Sequence, residues 1–174
     1  LLWVPFKLIL GISLSTSALT VIFASIGSAC LIILLSGILS IYPRNISRAA
    51  LLTGGAAICY GTWIPYAVRA GTYEVSISGA YCFIAMGLLL LWVSTRKKES
   101  PSYIALAFAG LCFGLAIGCR HLHVLNGLLL IYIWWFMAHK YKQCSFSIAL
   151  ALFLPWLFCI ECLMAYNYIR FGNV

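Results

Sequence analysis

The sequence contains no aspartate, and its acidic residues number three in all: Glu74, Glu99 and Glu161. A general base of the usual paired-carboxylate kind therefore has only these positions to come from. Charge of either sign is scarce. Charged residues make up 8% of the 174 positions, against about a quarter in soluble domains. Hydrophobic residues make up 64%, and a chain this short cannot enclose so much apolar surface in one water-soluble core. Lipid is the solvent the composition requires. Walker loops, nucleophile elbows, H-E-x-x-H and Rossmann glycine patterns are also missing, which leaves nucleotide-binding and hydrolase motifs out. No signal peptide is recognisable and the first residue is Leu1, so the chain reads as an internal piece of a longer protein.

What is present is a series of long apolar runs. About 20 apolar residues in a helix cross the hydrocarbon, and six stretches reach or approach that length: Ser17 to Tyr42, Ala49 to Val68, Val75 to Thr95, Tyr103 to Cys119, Val124 to Ala138 and Phe146 to Tyr166. The fourth and fifth are short, so a re-entrant pair there is an alternative. Pro65 lies near the end of the second, and Pro155 predicts a kink in the sixth. Helices satisfy their own backbone in lipid, and no run alternates as a barrel strand would. The expected fold is all-α: one polytopic transmembrane bundle of about six helices over residues 1–174.

The net charge of +8 arises from 11 Lys and Arg. These lie singly or in short clusters between apolar runs, the pattern of orientation signals and headgroup contacts rather than of nucleic-acid binding. Connections of one set hold Arg44, Arg48, Arg96, Lys97, Lys98, Lys140 and Lys142; those of the other hold Lys7, Arg69, Arg120 and Arg170. The positive-inside rule makes the first set cytoplasmic. Arg69, Tyr73, Glu74, Arg120, His121, His123, Asn167 and Arg170 then share the outer side, with Glu161 in the outer third of the sixth span. Asn45-Ile46-Ser47 fits the glycosylation pattern but falls inside, where it is not modified.

Glu161 is expected to be paired, protonated or facing water, because a carboxylate in a spanning helix is costly. It reads as a substrate-facing acid or a partner for Arg120 or Arg69, or else as an interfacial residue reaching headgroups. Arg120 follows Gly110, Gly114 and Gly118, a smooth stripe that lets a neighbouring helix approach and so fixes the guanidinium. Its planar fork suits phosphate; the plainer reading is a snorkelling arginine. His121 and His123 supply two potential metal ligands with no third nearby, so no metal is expected. Glu74 suits a helix N-terminus on dipole grounds alone. Trp63, Tyr66, Trp134 and Trp135 read as an interfacial belt. Of eight cysteines, seven lie in apolar runs as small hydrophobes, including Cys159 and Cys162 of a C-x-x-C.

Four segments together resemble bacterial membrane glycosyltransferases of class C (GT-C): Trp3-Val4-Pro5-Phe6; Gly71-Thr72-Tyr73-Glu74-Val75-Ser76-Ile77-Ser78; the Ala109 to Arg120 helix; and the exit Ala165 to Asn173. Their order and spacing agree over most of the chain. The resemblance implies transfer of a sugar from a polyprenyl-phosphate donor to an extracytoplasmic acceptor in a bacterial inner membrane. It implies that Arg120 and the Asn167 to Phe171 exit border the cavity where lipid phosphate and sugar meet. The family's catalytic Asp lies in an early outer loop that has no counterpart here, so no catalytic residue is assigned and the piece alone is expected to be inactive. His121 stands where the family often has Pro. The substrate-binding candidates are thus Arg120, Glu161, Glu74, Arg69, His121, Asn167 and Arg170. Expected partners are membrane lipid and the lipid-linked sugar, with no cofactor. A transporter or flippase for an amphiphilic substrate is the rival reading, and a non-catalytic scaffold a third.

Overall fold

The computed structural model describes residues 15–41, 50–58, 72–96, 100–141 and 145–172. All regular structure among them is helical: α1 (Thr16–Leu39), α2 (Thr72–Thr95), α3 (Tyr103–Cys119), α4 (Asn126–Lys140) and α5 (Ser145–Phe171). A 3-10 helix over His121–Leu125 leads into α4, and residues 50–58 are also helical. The expected all-α bundle is what the chain forms. Among the described residues, Thr16–Leu39, Glu74–Thr95, His121–Lys140 and Ser145–Phe171 are long and apolar enough to cross a membrane. At 17 residues, α3 extends about 25 Å, somewhat short of a hydrocarbon core of about 30 Å. The fifth expected span reaches 20 residues because the 3-10 turn extends it. The rest of the second span, with Pro65, lies outside the described residues.

Local chemistry sets the helix ends. Ser15 and Ser102 cap α1 and α3, their Oγ atoms accepting from Ala18 N at 3.2 Å and Ala105 N at 3.5 Å. Gly172 closes α5 in the left-handed region (φ 69°), its N–H donating to Tyr168 O at 2.9 Å. α5 runs unbroken through Pro155, although that residue has no N–H to give to the carbonyl of Ala151. Hydroxyls within the spans are satisfied locally. Thr20 Oγ1 donates to Thr16 O at 2.9 Å and Ser78 Oγ to Val75 O at 3.1 Å.

The packing contacts fix direction as well as adjacency. Gly27 of α1 meets Tyr81 and Cys82 of α2, while Gly37 meets Trp92; both numbers rise together, so the two helices run parallel. Gly79 and Gly87 of α2 meet Cys119 and Phe113 of α3, an antiparallel pair. Gly110, Gly114 and Gly118 of α3 meet Leu152, Cys159 and Leu163 of α5, a parallel pair. Gly127 of α4 lies against Trp156 of α5, and Trp134 bonds to Ser145, so these two are antiparallel. The spatial order is α1, α2, α3, α5, α4. One end of the bundle therefore gathers the starts of α1, α2 and α4 with the finishes of α3 and α5. We call it the Glu74 end, and its opposite the Thr95 end.

The central core lies toward the Thr95 end, where Leu91, Leu106, Phe113, Leu130, Met137, Ile148 and Leu152 pack together. Phe113 is fully buried against Gly87, whose missing Cβ leaves room for the ring. Hydrogen bonds join the described helix ends here. Lys140 Nζ and Tyr141 Oη both donate to Thr95 O, at 2.8 and 3.4 Å. Ser94 Oγ donates to Ser102 O at 3.3 Å, and Trp134 Nε1 to Ser145 O at 3.0 Å. A net hydrogen bond stabilises by about 0.5–1.5 kcal/mol. Trp134→Phe should lower stability by about that much, read from thermal unfolding in detergent. An unchanged midpoint would show that this tie contributes nothing.

Candidate functional site

The Glu74 end collects most of the polar residues that the sequence singles out. Arg120 caps α3 in an extended conformation (φ −152°, ψ 123°). Its N–H still donates to Ala116 O at 3.1 Å, and its carbonyl accepts from His123 N at 3.0 Å to open the 3-10 turn. The chain thus turns sharply at Arg120, which is half-buried, with His121 exposed beside it. The close approach of α3 to α5 determines where that turn falls. A Cβ on Gly110 would strike the Leu152 carbonyl, and one on Gly114 would sit 2.7 Å from Cys159 Cβ. Gly118 has only ordinary contact, 3.7 Å from Leu163. Two of the three glycines therefore carry the packing role expected of the stripe.

Residues spaced four apart keep nearly one face of a helix. The α3-facing line of α5, Cys159 and Leu163, thus continues to Asn167 and, three residues on, to Arg170. Asn167 is half-buried just past the end of α3. Arg170 is exposed, its Nη1 donating to Tyr166 Oη at 2.8 Å and its guanidinium lying 5.1 Å from the Phe171 ring centroid. Glu74, also half-buried, stands in the first turn of α2. Gly79 is level with Cys119, so Glu74 is about 7.5 Å nearer the end than that contact. Arg120, His121, Asn167, Arg170 and Glu74 therefore share one end of the bundle. Arg69 lies outside the described residues, as do Asn173 and the side chain of Tyr73.

Glu161 is placed differently. It is two residues beyond Cys159, about 200° around the helix, so it faces away from α3, and it is exposed. The structure does not bring it to Arg120, and no described residue pairs with it. α5 continues to Phe171, which leaves Glu161 about 15 Å from the helix end. That places it in the central third of the helix, six residues before Asn167. Within the hydrocarbon a carboxylate costs up to about 2.5–3.5 kcal/mol on insertion scales.

Two residues passed over in the sequence also come into view. Asn126 Nδ2 and Trp156 Nε1 are buried donors without an acceptor among the described residues. Asn126 directly follows the 3-10 segment, and its neighbour Gly127 packs on the Trp156 ring. A buried unpaired N–H is costly, and only the inward register of Asn126 and Trp156, invisible before folding, distinguishes them. Among the described residues the cysteines Cys30, Cys82, Cys112, Cys119, Cys159 and Cys162 are free thiols, and the two of the C-x-x-C differ in exposure. Among the described residues no group of three His, Cys, Asp or Glu could hold a metal ion.

Chemically, the Glu74 end offers N–H donors and positive charge beside one carboxylate. It suits an oxygen-rich anion at a membrane surface better than acid–base work by two carboxylates. Fold and composition together define the class: this is an integral membrane protein built as a helical bundle. Compared with known proteins, the chain matches no family model, no curated protein and no solved structure.

Proposed function

We propose that the chain forms part of a membrane glycosyltransferase of the GT-C kind, transferring a sugar from a polyprenyl-phosphate donor to an acceptor outside the cytoplasm of a bacterial inner membrane. The observation that carries this reading is the contrast between the two ends. Among the described residues the Thr95 end is packed and joined by hydrogen bonds, while the Glu74 end presents Arg120, His121, Asn167 and Arg170 with Glu74. Arg120 is assigned to the donor phosphate, because this half-buried residue stands at a helix junction held by the α3–α5 contact. Asn167 and His121 supply further donors to phosphate or sugar oxygens, and Glu74 balances the charge. Glu161 is left out of this set because it faces the other way. A lipid-linked donor fits because its phosphate lies at the interface and its chain in the hydrocarbon.

The reading requires the Glu74 end to face outward. In a cysteine-free version of the full-length protein, single cysteines at His121 and Arg170 are expected to react with a membrane-impermeant maleimide added from outside. One at Arg96 is expected to react only after permeabilisation. The opposite pattern would remove the proposal. The activity itself is tested with purified full-length protein and a polyprenyl-phosphate hexose, by following release of polyprenyl phosphate. Movement of the intact lipid-linked sugar across a vesicle membrane, without its cleavage, would favour the transporter reading instead.

A further inference from the structure

We propose that the face of α5 turned away from α3 is a docking seam for another membrane-spanning helix, one that carries arginine, lysine or histidine at the depth of Glu161. Leu150, Leu154, Leu157, Glu161, Met164 and Tyr168 are all exposed. They follow one another in steps of four, three, four, three and four residues. They therefore lie along one face of α5, the kind of face through which a left-handed helix pair packs. Left-handed crossings of this kind predominate in membrane bundles. The opposite face is already used by α3, and α4 touches α5 through Trp156 and Ser145. Ile148, Leu152 and Cys159 are the buried residues of α5, and all lie off this face, so no described helix occupies the seam.

Apolar residues at these places would suit lipid equally well. Glu161 does not. Its carboxylate stands near the middle of the helix at a seam position, with no partner among the described residues. Lipid chains offer it neither hydrogen bonds nor counter-charge. A second parallel copy would set carboxyl against carboxyl and bring no counter-charge. The complementary occupant is a helix with a basic side chain, and one polar residue in an apolar seam fixes register as well as partner. This surface stands apart from the Glu74 end and does not depend on the reading proposed for it.

The test uses the full-length protein in its native membrane, with a photoreactive diazirine amino acid in place of Leu157 or Met164. Adducts are mapped by mass spectrometry. The expected product is a cross-link to a spanning helix with a basic residue within one turn of the adduct. Its yield should fall at least tenfold in Glu161→Leu and severalfold in Glu161→Gln, which keeps the shape. It should return when Glu161→Lys is combined with glutamate at the mapped basic position. Adducts to lipid alone, to the same seam of a second copy, or to a helix without a basic residue would overturn the proposal. So would a cross-link whose yield is unchanged in Glu161→Leu.

Discussion

Gly110→Ala is expected to destabilise the bundle by about 1–3 kcal/mol, the usual cost of overpacking, and Gly110→Val by more. The sign follows from what the new Cβ would meet. At Gly110 it is the backbone carbonyl of Leu152, which cannot rotate aside as a side chain can, so α3 and α5 must separate. Alanine returns up to about 1 kcal/mol in helix propensity, which the clash exceeds. Separation matters doubly in lipid, where helices are held by close contact rather than by expulsion from water. Gly118→Ala provides the contrast. Its Cβ would stand 3.7 Å from Leu163, and the change should stay within about 0.5 kcal/mol of neutral. Unfolding of the full-length protein in detergent measures both, and equal midpoints would refute the close-approach account. Because the same contact places Arg120, Gly110→Val should also displace the turn that follows.

Much of this architecture was legible in the sequence because lipid leaves the backbone few options. The fourth span, Tyr103 to Cys119, has the bounds of α3, since Ser102 caps it and Arg120 breaks it. The parallel run of α1 and α2 fits a span between them, as the apolar stretch from Ala49 implies. The sixth apolar stretch, Phe146 to Tyr166, lies within a longer helix. Hydropathy falls at Asn167 and Arg170, but hydrogen bonding carries the helix to Gly172. Glu161 stands ten residues before the last helical residue, Phe171. Its direction was illegible. A helix apolar nearly all round gives no sign of which face meets a neighbour, and the facing side of α5 is set by glycines on α3. For the same reason Asn126 and Trp156 gave no signal, while the gathering of Glu74, Arg120, His121 and Arg170 followed from counting alternate connections.

Arg120→Ala is expected to lower kcat/KM for a polyprenyl-phosphate hexose about 10- to 150-fold. That range corresponds to the roughly 1.5–3 kcal/mol of a hydrogen bond to a charged group. Arg120→Lys keeps the charge but loses the parallel fork that matches a phosphate. It should fall between wild type and Arg120→Ala, with the loss appearing chiefly in the KM for donor. Arg170→Ala should have a smaller effect, because that guanidinium is exposed and engaged with Tyr166 and Phe171. The same order is expected when polyprenyl phosphate is used as a competitive inhibitor, which separates phosphate binding from recognition of the sugar. Unfolding in detergent distinguishes a damaged site from a damaged fold, since Arg120 acts at the end of α3 while the core lies toward Thr95. If Arg120→Ala left both the donor KM and polyprenyl-phosphate inhibition unchanged, the guanidinium would be an interfacial anchor, and the Glu74 end would lose its assigned substrate.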